Sequence, residues 1–135
     1  MTSPGTVLTV ANFAAIGVGA ALGAWLRWLL ALALNRLWPM LPMGTLVANL
    51  VGGLLIGIAV WIFERHSDIS PEWRLFAVTG FLGGLTTFST FSAESMALLH
   101  RSEYGWALFH TGGHLFGSIL FCIAGYAVAR ALTLN

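Results

Sequence analysis

The chain has 135 residues, of which 58% are hydrophobic and only 8% charged; a soluble domain carries about 25% charged residues, so an ordinary soluble core is excluded and a bilayer is the fitting solvent. Six arginines, no lysine and five acids leave a formal net charge of +1, which excludes the basic face of a nucleic-acid-binding protein. The single cysteine, Cys122, excludes an internal disulfide and a Cys-rich metal site.

Four apolar stretches follow one another along the chain. The first runs from Ala11 to Leu34 and contains Arg27. It is too long for the apolar core of a signal peptide, and no arginine or lysine precedes it. Gly19 and Gly23 form a G-x-x-x-G pair on it, with Arg27 one turn further on. The second stretch, Leu46 to Phe63, carries Asn49. Thr45, Asn49, Gly53 and Gly57 make one i, i+4 row there. The third, Leu75 to Leu99, holds Glu94 and a cluster of Gly, Thr and Ser. The fourth, Trp106 to Val128, holds His110, His114, Gly113, Gly117 and Ser118. At about 1.5 Å per residue, each stretch is long enough to cross a membrane as a helix.

Short loops marked by Pro39, Pro42 and Pro71 join these spans, and Trp38, Trp61, Trp73 and Trp106 fall near their ends, where indoles favour the interface. Residues 1–135 are therefore expected to form a single all-α membrane unit of four transmembrane helices, a multi-pass protein of the inner (plasma) membrane. With four spans, Arg65, Arg74 and Arg130 lie on one side and Arg36 and Arg101 on the other. That is almost no bias under the positive-inside rule. Either a single arginine decides the orientation, or the chain inserts both ways up and pairs with an inverted copy. Small residues let membrane helices approach closely, so the three small-residue faces suggest a compact dimer. Four tightly packed helices leave little room for a central pore, which directs any permeation path to a subunit boundary.

The third span is the most informative. In GFLGGLTTFSTFSAE (Gly80–Glu94), Gly80, Gly83 and Gly84 weaken the helix. Six hydroxyl residues follow between Thr86 and Ser95, able to satisfy backbone groups that a break would free. Two readings fit: a buried ion site at Gly83 to Thr87, where broken helices aim carbonyls at cations and amides at anions, or a kink with hydroxyls bonded to the preceding turn. Phe88 and Phe91 sit three apart on one face. They are either packing residues or rings whose partially positive edges face a small anion.

Three segments, GVGAALGAWLRW (Gly17–Trp28), GTLVANLVGGLLIG (Gly44–Gly57) and GFLGGLTTFSTFSAE, resemble the Fluc (CrcB) family of fluoride channels. The resemblance implies a passive fluoride channel, not an enzyme, built as an antiparallel dual-topology homodimer with two pores at the interface. It implies that Phe88 and Phe91 are pore phenylalanines, that Asn49 donates an amide N–H to the anion, and that Ser89 and Thr90 lie along a polar track. Thr45 and Ser118 are further pore candidates. A central sodium ion would be held by the backbone carbonyls of Gly83 and Thr86 from both subunits. His110 stands where related channels can carry Tyr, and His114 where they can carry Ser; either both are neutral histidines bonded to neighbouring helices, or His110 replaces the tyrosine as a pore donor. Arg27 and Glu94 are candidates for a pore vestibule, although an intramembrane arginine must in any case pair with carbonyls or acids or reach the interface, and Glu94 could simply pair with an arginine.

Two rivals are weaker. A dual-topology multidrug exporter would want a buried carboxylate in its first span, which here holds Arg27. A non-transporting scaffold would not need the hydroxyl-rich break. No nucleotide-binding G-x-x-x-x-G-K-[ST] and no H-E-x-x-H occurs.

Overall fold

Helix α1 (Val10–Leu34) begins at Thr9, whose hydroxyl accepts the Asn12 N–H at 3.1 Å. It ends at Asn35, whose Oδ1 accepts the Gly44 N–H at 2.8 Å and so ties the first turn of α2 (Met43–Arg65) to the end of α1. After a short loop, Pro71 opens α3 (Pro71–Arg74) at the position where its missing N–H costs nothing. The third span then continues as a π-helical segment, Leu75–Leu82, and a single turn, α4 (Gly83–Leu85). Thr86 and Thr87 are extended, and α5 (Phe88–His100) completes the span. The last helix, α6, runs from Tyr104 to Thr133. This computed structural model describes residues 8–133.

Four helical stretches, Val10–Leu34, Met43–Arg65, Pro71–His100 and Tyr104–Thr133, are long and apolar enough to cross a membrane. The first exceeds the apolar window read from the sequence only by Val10; the other three run further, through polar residues such as Glu64, Glu72 and Arg130 that hydropathy alone discards.

The close contacts pair α2 with α6 and α1 with the π-helical segment. Glycine makes both possible. A Cβ on Gly19 or Gly23 would run into the carbonyls of Phe76 or Phe81, and one on Gly57 into the carbonyl of Cys122. Gly53 faces the Ser118 carbonyl, and Gly125 faces that of Leu54. The small-residue faces of spans one and two are therefore consumed inside one subunit. They carry no argument for a dimer, contrary to the expectation from spacing, because a G-x-x-x-G pattern reports close approach without naming the partner.

Two small apolar clusters lie within: Ala48, Leu82 and Leu85 under the broken span, and Leu41, Leu98 and Ala107 near the short loops. Trp61, near the end of its span, is buried, donating Nε1–H to Thr133 Oγ1 at 2.7 Å at the end of α6. Large apolar side chains such as Phe13, Trp25, Phe109 and Phe116 point outward, as a lipid-embedded or partner-covered surface requires.

Candidate functional site

Every backbone group released by the break in span three must find a partner, because lipid offers none. Thr86 turns back: its N–H and Oγ1–H both donate to the Leu82 carbonyl, at 3.0 and 2.8 Å. Its methyl fills the space beside Gly52, where a Cβ would collide with it. Thr87 is held by Asn49 from α2. Asn49 Oδ1 accepts the Thr87 N–H at 2.8 Å, and Asn49 Nδ2 donates to the Thr87 carbonyl at 3.0 Å. Thr87 Oγ1 in turn caps α5 by accepting the Thr90 N–H at 3.1 Å. Arg27 reaches across from α1 and donates Nε–H to the Gly84 carbonyl at 3.0 Å.

These bonds divert donors that a continuous helix would use. Thr87 N–H, the regular partner of the Gly83 carbonyl, goes to Asn49; Thr90 N–H, the regular partner of the Thr86 carbonyl, goes to the Thr87 hydroxyl. The Gly83 and Thr86 carbonyls thereby lose their usual helical donors, and backbone oxygens in that condition suit a hard cation.

Beside the break lies an open groove of about 800 Å³. Its walls include Asn49, Gly83, Thr86, Thr87, Phe88, Phe91, His114 and Ser118. Phe88 projects with 80% of its surface exposed, its ring 5.4 Å from that of Phe91. The Phe91 ring is packed against both histidines, 5.4 Å from His110 and 4.8 Å from His114.

The remaining site candidates fall into two groups. Ser89 and Thr90 stay at the break, their hydroxyls each 3.2 Å from that of Thr87. Thr45, Glu94 and His110 form a connected set behind the groove wall, where His110 packs on Phe91 and His114: Thr45 Oγ1 donates to Glu94 Oε1 at 2.6 Å, and Glu94 Oε2 lies 3.2 Å from His110 Nε2. Ser95 Oγ meets the other His110 nitrogen at 3.1 Å. Both His110 nitrogens are thus engaged by protein. It is His114 that lines the groove, with Nδ1 2.9 Å from Asn49 Nδ2. Sequence reasoning missed this Asn49–His114 contact; the i, i+4 spacing of the histidines shows a shared face but not what that face meets.

Comparison with known proteins agrees with this architecture. The model of the CrcB-like protein, Camphor Resistance (CrcB), family matches residues 14–126. A protein of Cupriavidus pinatubonensis named fluoride-specific ion channel FluC is 59% identical over 121 residues, 90% of this chain and 96% of the relative. One of Cupriavidus metallidurans with the same name is 58% identical over the same shares. One of Nitrosospira multiformis, also so named, is 57% identical over 118 residues, 87% of this chain and 92% of the relative. These relatives are named as channels, not enzymes. The family match covers the second span and the broken third span in full and most of the first and fourth, and on that ground the chain belongs to the CrcB-like family of multi-pass membrane proteins.

Proposed function

We propose that this chain is a passive, fluoride-selective channel that exports cytoplasmic fluoride and so protects against its toxicity. It works as an antiparallel homodimer with two pores at the subunit interface and a structural sodium ion at its centre. The observation that carries the reading is the Asn49–Thr87 clamp opening onto the groove flanked by Phe88 and Phe91. A groove with amide, hydroxyl and imidazole groups on its walls is costly to leave against lipid tails; a second copy of the chain covers it and turns it into a path. Phenyl edges and N–H donors attract a small anion without a full charge to trap it. The names of the relatives supply the ion.

Sodium is supported by the diverted donors at Gly83 and Thr86. Their carbonyls, doubled by the partner subunit, would bridge the dimer and hold the two breaks in register. Ser89, Thr90 and Ser118 extend the polar lining; Thr45 and His110, joined through Glu94, stand behind the groove-wall residues Phe91 and His114; and Arg27 holds the Gly84 carbonyl at the break.

A passive leak is enough for export. Hydrogen fluoride crosses lipid uncharged and dissociates inside, and a negative interior then drives the anion out, at about 2.3 kcal/mol per charge per 100 mV. A bacterium lacking its own fluoride exporter should grow, when expressing this chain, at fluoride concentrations that stop the vector control. Equal inhibition of both strains, with the protein shown to be in the membrane, would contradict the assignment.

The antiparallel arrangement has its own test. A Cys122→Ser background carrying Ser67→Cys places one thiol in the exposed loop between α2 and α3. An impermeant thiol reagent on intact cells should label only part of the population, with the rest labelled after lysis. All-or-none labelling would rule out mixed insertion.

A further inference from the structure

Helices α5 and α6 bring Glu94, His110 and His114 together. Each offers one ligand atom, and these atoms lie within 4.8 Å of one another. His110 and His114 are only 3% and 5% exposed, with ring centroids 4.5 Å apart. Two imidazoles and one carboxylate are the donor set preferred by zinc and its neighbours. Histidines four apart on one helix face are a recurrent way of presenting a pair of such ligands. The outer contacts also suit a metal. Thr45 holds Glu94 Oε1, which leaves Oε2 facing His110, and Ser95 holds His110 Nδ1, which leaves Nε2 facing inward. Partners of this kind fix ligand orientation. Finally, among the described residues, the buried His114 Nε2 has no hydrogen-bond partner, a condition that is costly unless something binds there.

We propose that Glu94, His110 and His114 form a binding site for a divalent transition-metal ion, with zinc as the representative case, and that its occupancy blocks fluoride permeation. The site stands on the cluster itself; the block rests on the reading of the adjoining groove as the fluoride path. The mechanism follows from one proton. Asn49 Nδ2 is only a donor, so the His114 Nδ1 it faces at 2.9 Å is an acceptor and the ring proton sits on Nε2. Coordination through Nε2 moves that proton to Nδ1, where it opposes the Asn49 N–H. The Asn49–His114 contact is lost and the clamp on Thr87 loosens. Three protein ligands also leave the metal an open position, which a fluoride ion can occupy and leave only slowly.

The test uses purified, chelator-stripped wild-type protein. Zinc chloride is titrated in competition with a chromophoric chelator, and fluoride efflux from liposomes is measured across the same zinc range. One zinc per subunit should bind at micromolar concentration, efflux should fall over that range, and EDTA should restore it. Magnesium, which favours all-oxygen sites, should do neither. His110→Gln and His114→Gln, checked for assembly by gel filtration, should each lose the binding and the block. Thr45→Val, which removes only an outer contact, should weaken zinc binding by about 10–100-fold. Wild-type binding no tighter than that of His114→Gln overturns the site. Zinc binding that leaves efflux unchanged overturns the block. Absence of fluoride efflux without zinc would instead defeat the channel reading, and the titration would still judge the site.

Discussion

Replacing Phe88 and Phe91 together by isoleucine is expected to cut fluoride flux by roughly 5–140-fold while the protein still assembles. The estimate takes about 0.5–1.5 kcal/mol for each aromatic edge interaction lost, at tenfold per 1.4 kcal/mol. Isoleucine keeps apolar bulk but has no electropositive ring edge. Phe88 is 80% exposed within the subunit, so its loss removes little internal packing. Phe91 stacks on His110 and meets His114, so its replacement also loosens α5 against α6. The single variants separate these effects: Phe88→Ile should lower flux with little change in thermal stability, and Phe91→Ile should lower both. Flux near wild type in both single variants would make these rings packing residues.

Asn49→Leu is expected to abolish flux and to destabilise the protein by about 1–3 kcal/mol. Leucine is close to asparagine in size but offers neither donor nor acceptor. The Thr87 N–H and carbonyl would lose their bonds together, at a point where the helix has no others to give them. Each such group buried without a partner costs about 1–3 kcal/mol. Asn49 is half-buried beside an open groove, so water recovers part of that, and the total is set at the cost of one group. Thermal unfolding in detergent reads the stability and liposome efflux reads the function. An Asn49→Leu protein with wild-type flux would show that the clamp does not shape the path.

Much of this architecture was legible in the sequence, for identifiable reasons. Four long apolar windows, two without a charged residue and two with one each, demanded four spans, since runs so apolar have no other fitting solvent. Glycines followed by hydroxyls around Thr86 and Thr87 signalled a break, because each residue type there either weakens a helix or repairs one. The π-helical turns of Leu75–Leu82 were not legible. That stretch is apolar but for Thr79, so its pattern carries no sign of the wider turns, and Gly80 within it sits close against Ile16 and Ala20 of α1. Arg27 was read as needing carbonyls, acids or the interface; that it takes the Gly84 carbonyl depended on the break in the facing span. Thr45, Glu94 and His110 stand on three different helices, so no spacing rule could join them. For His110 the sequence left open a pore donor or a histidine bonded to neighbouring helices; Ser95 and Glu94 meet both its nitrogens, and the imidazole on the groove wall is that of His114.

The central claim is that the groove beside the Asn49–Thr87 clamp becomes a passive path for fluoride. The most direct test is efflux from liposomes loaded with potassium fluoride and reconstituted with the purified chain. A fluoride electrode records external fluoride after valinomycin opens a potassium leak. The account predicts rapid fluoride release that needs valinomycin, with no comparable release when chloride replaces fluoride, and loss of that release in Asn49→Leu. Fluoride release no faster than from protein-free liposomes, or equal release of chloride, would contradict it.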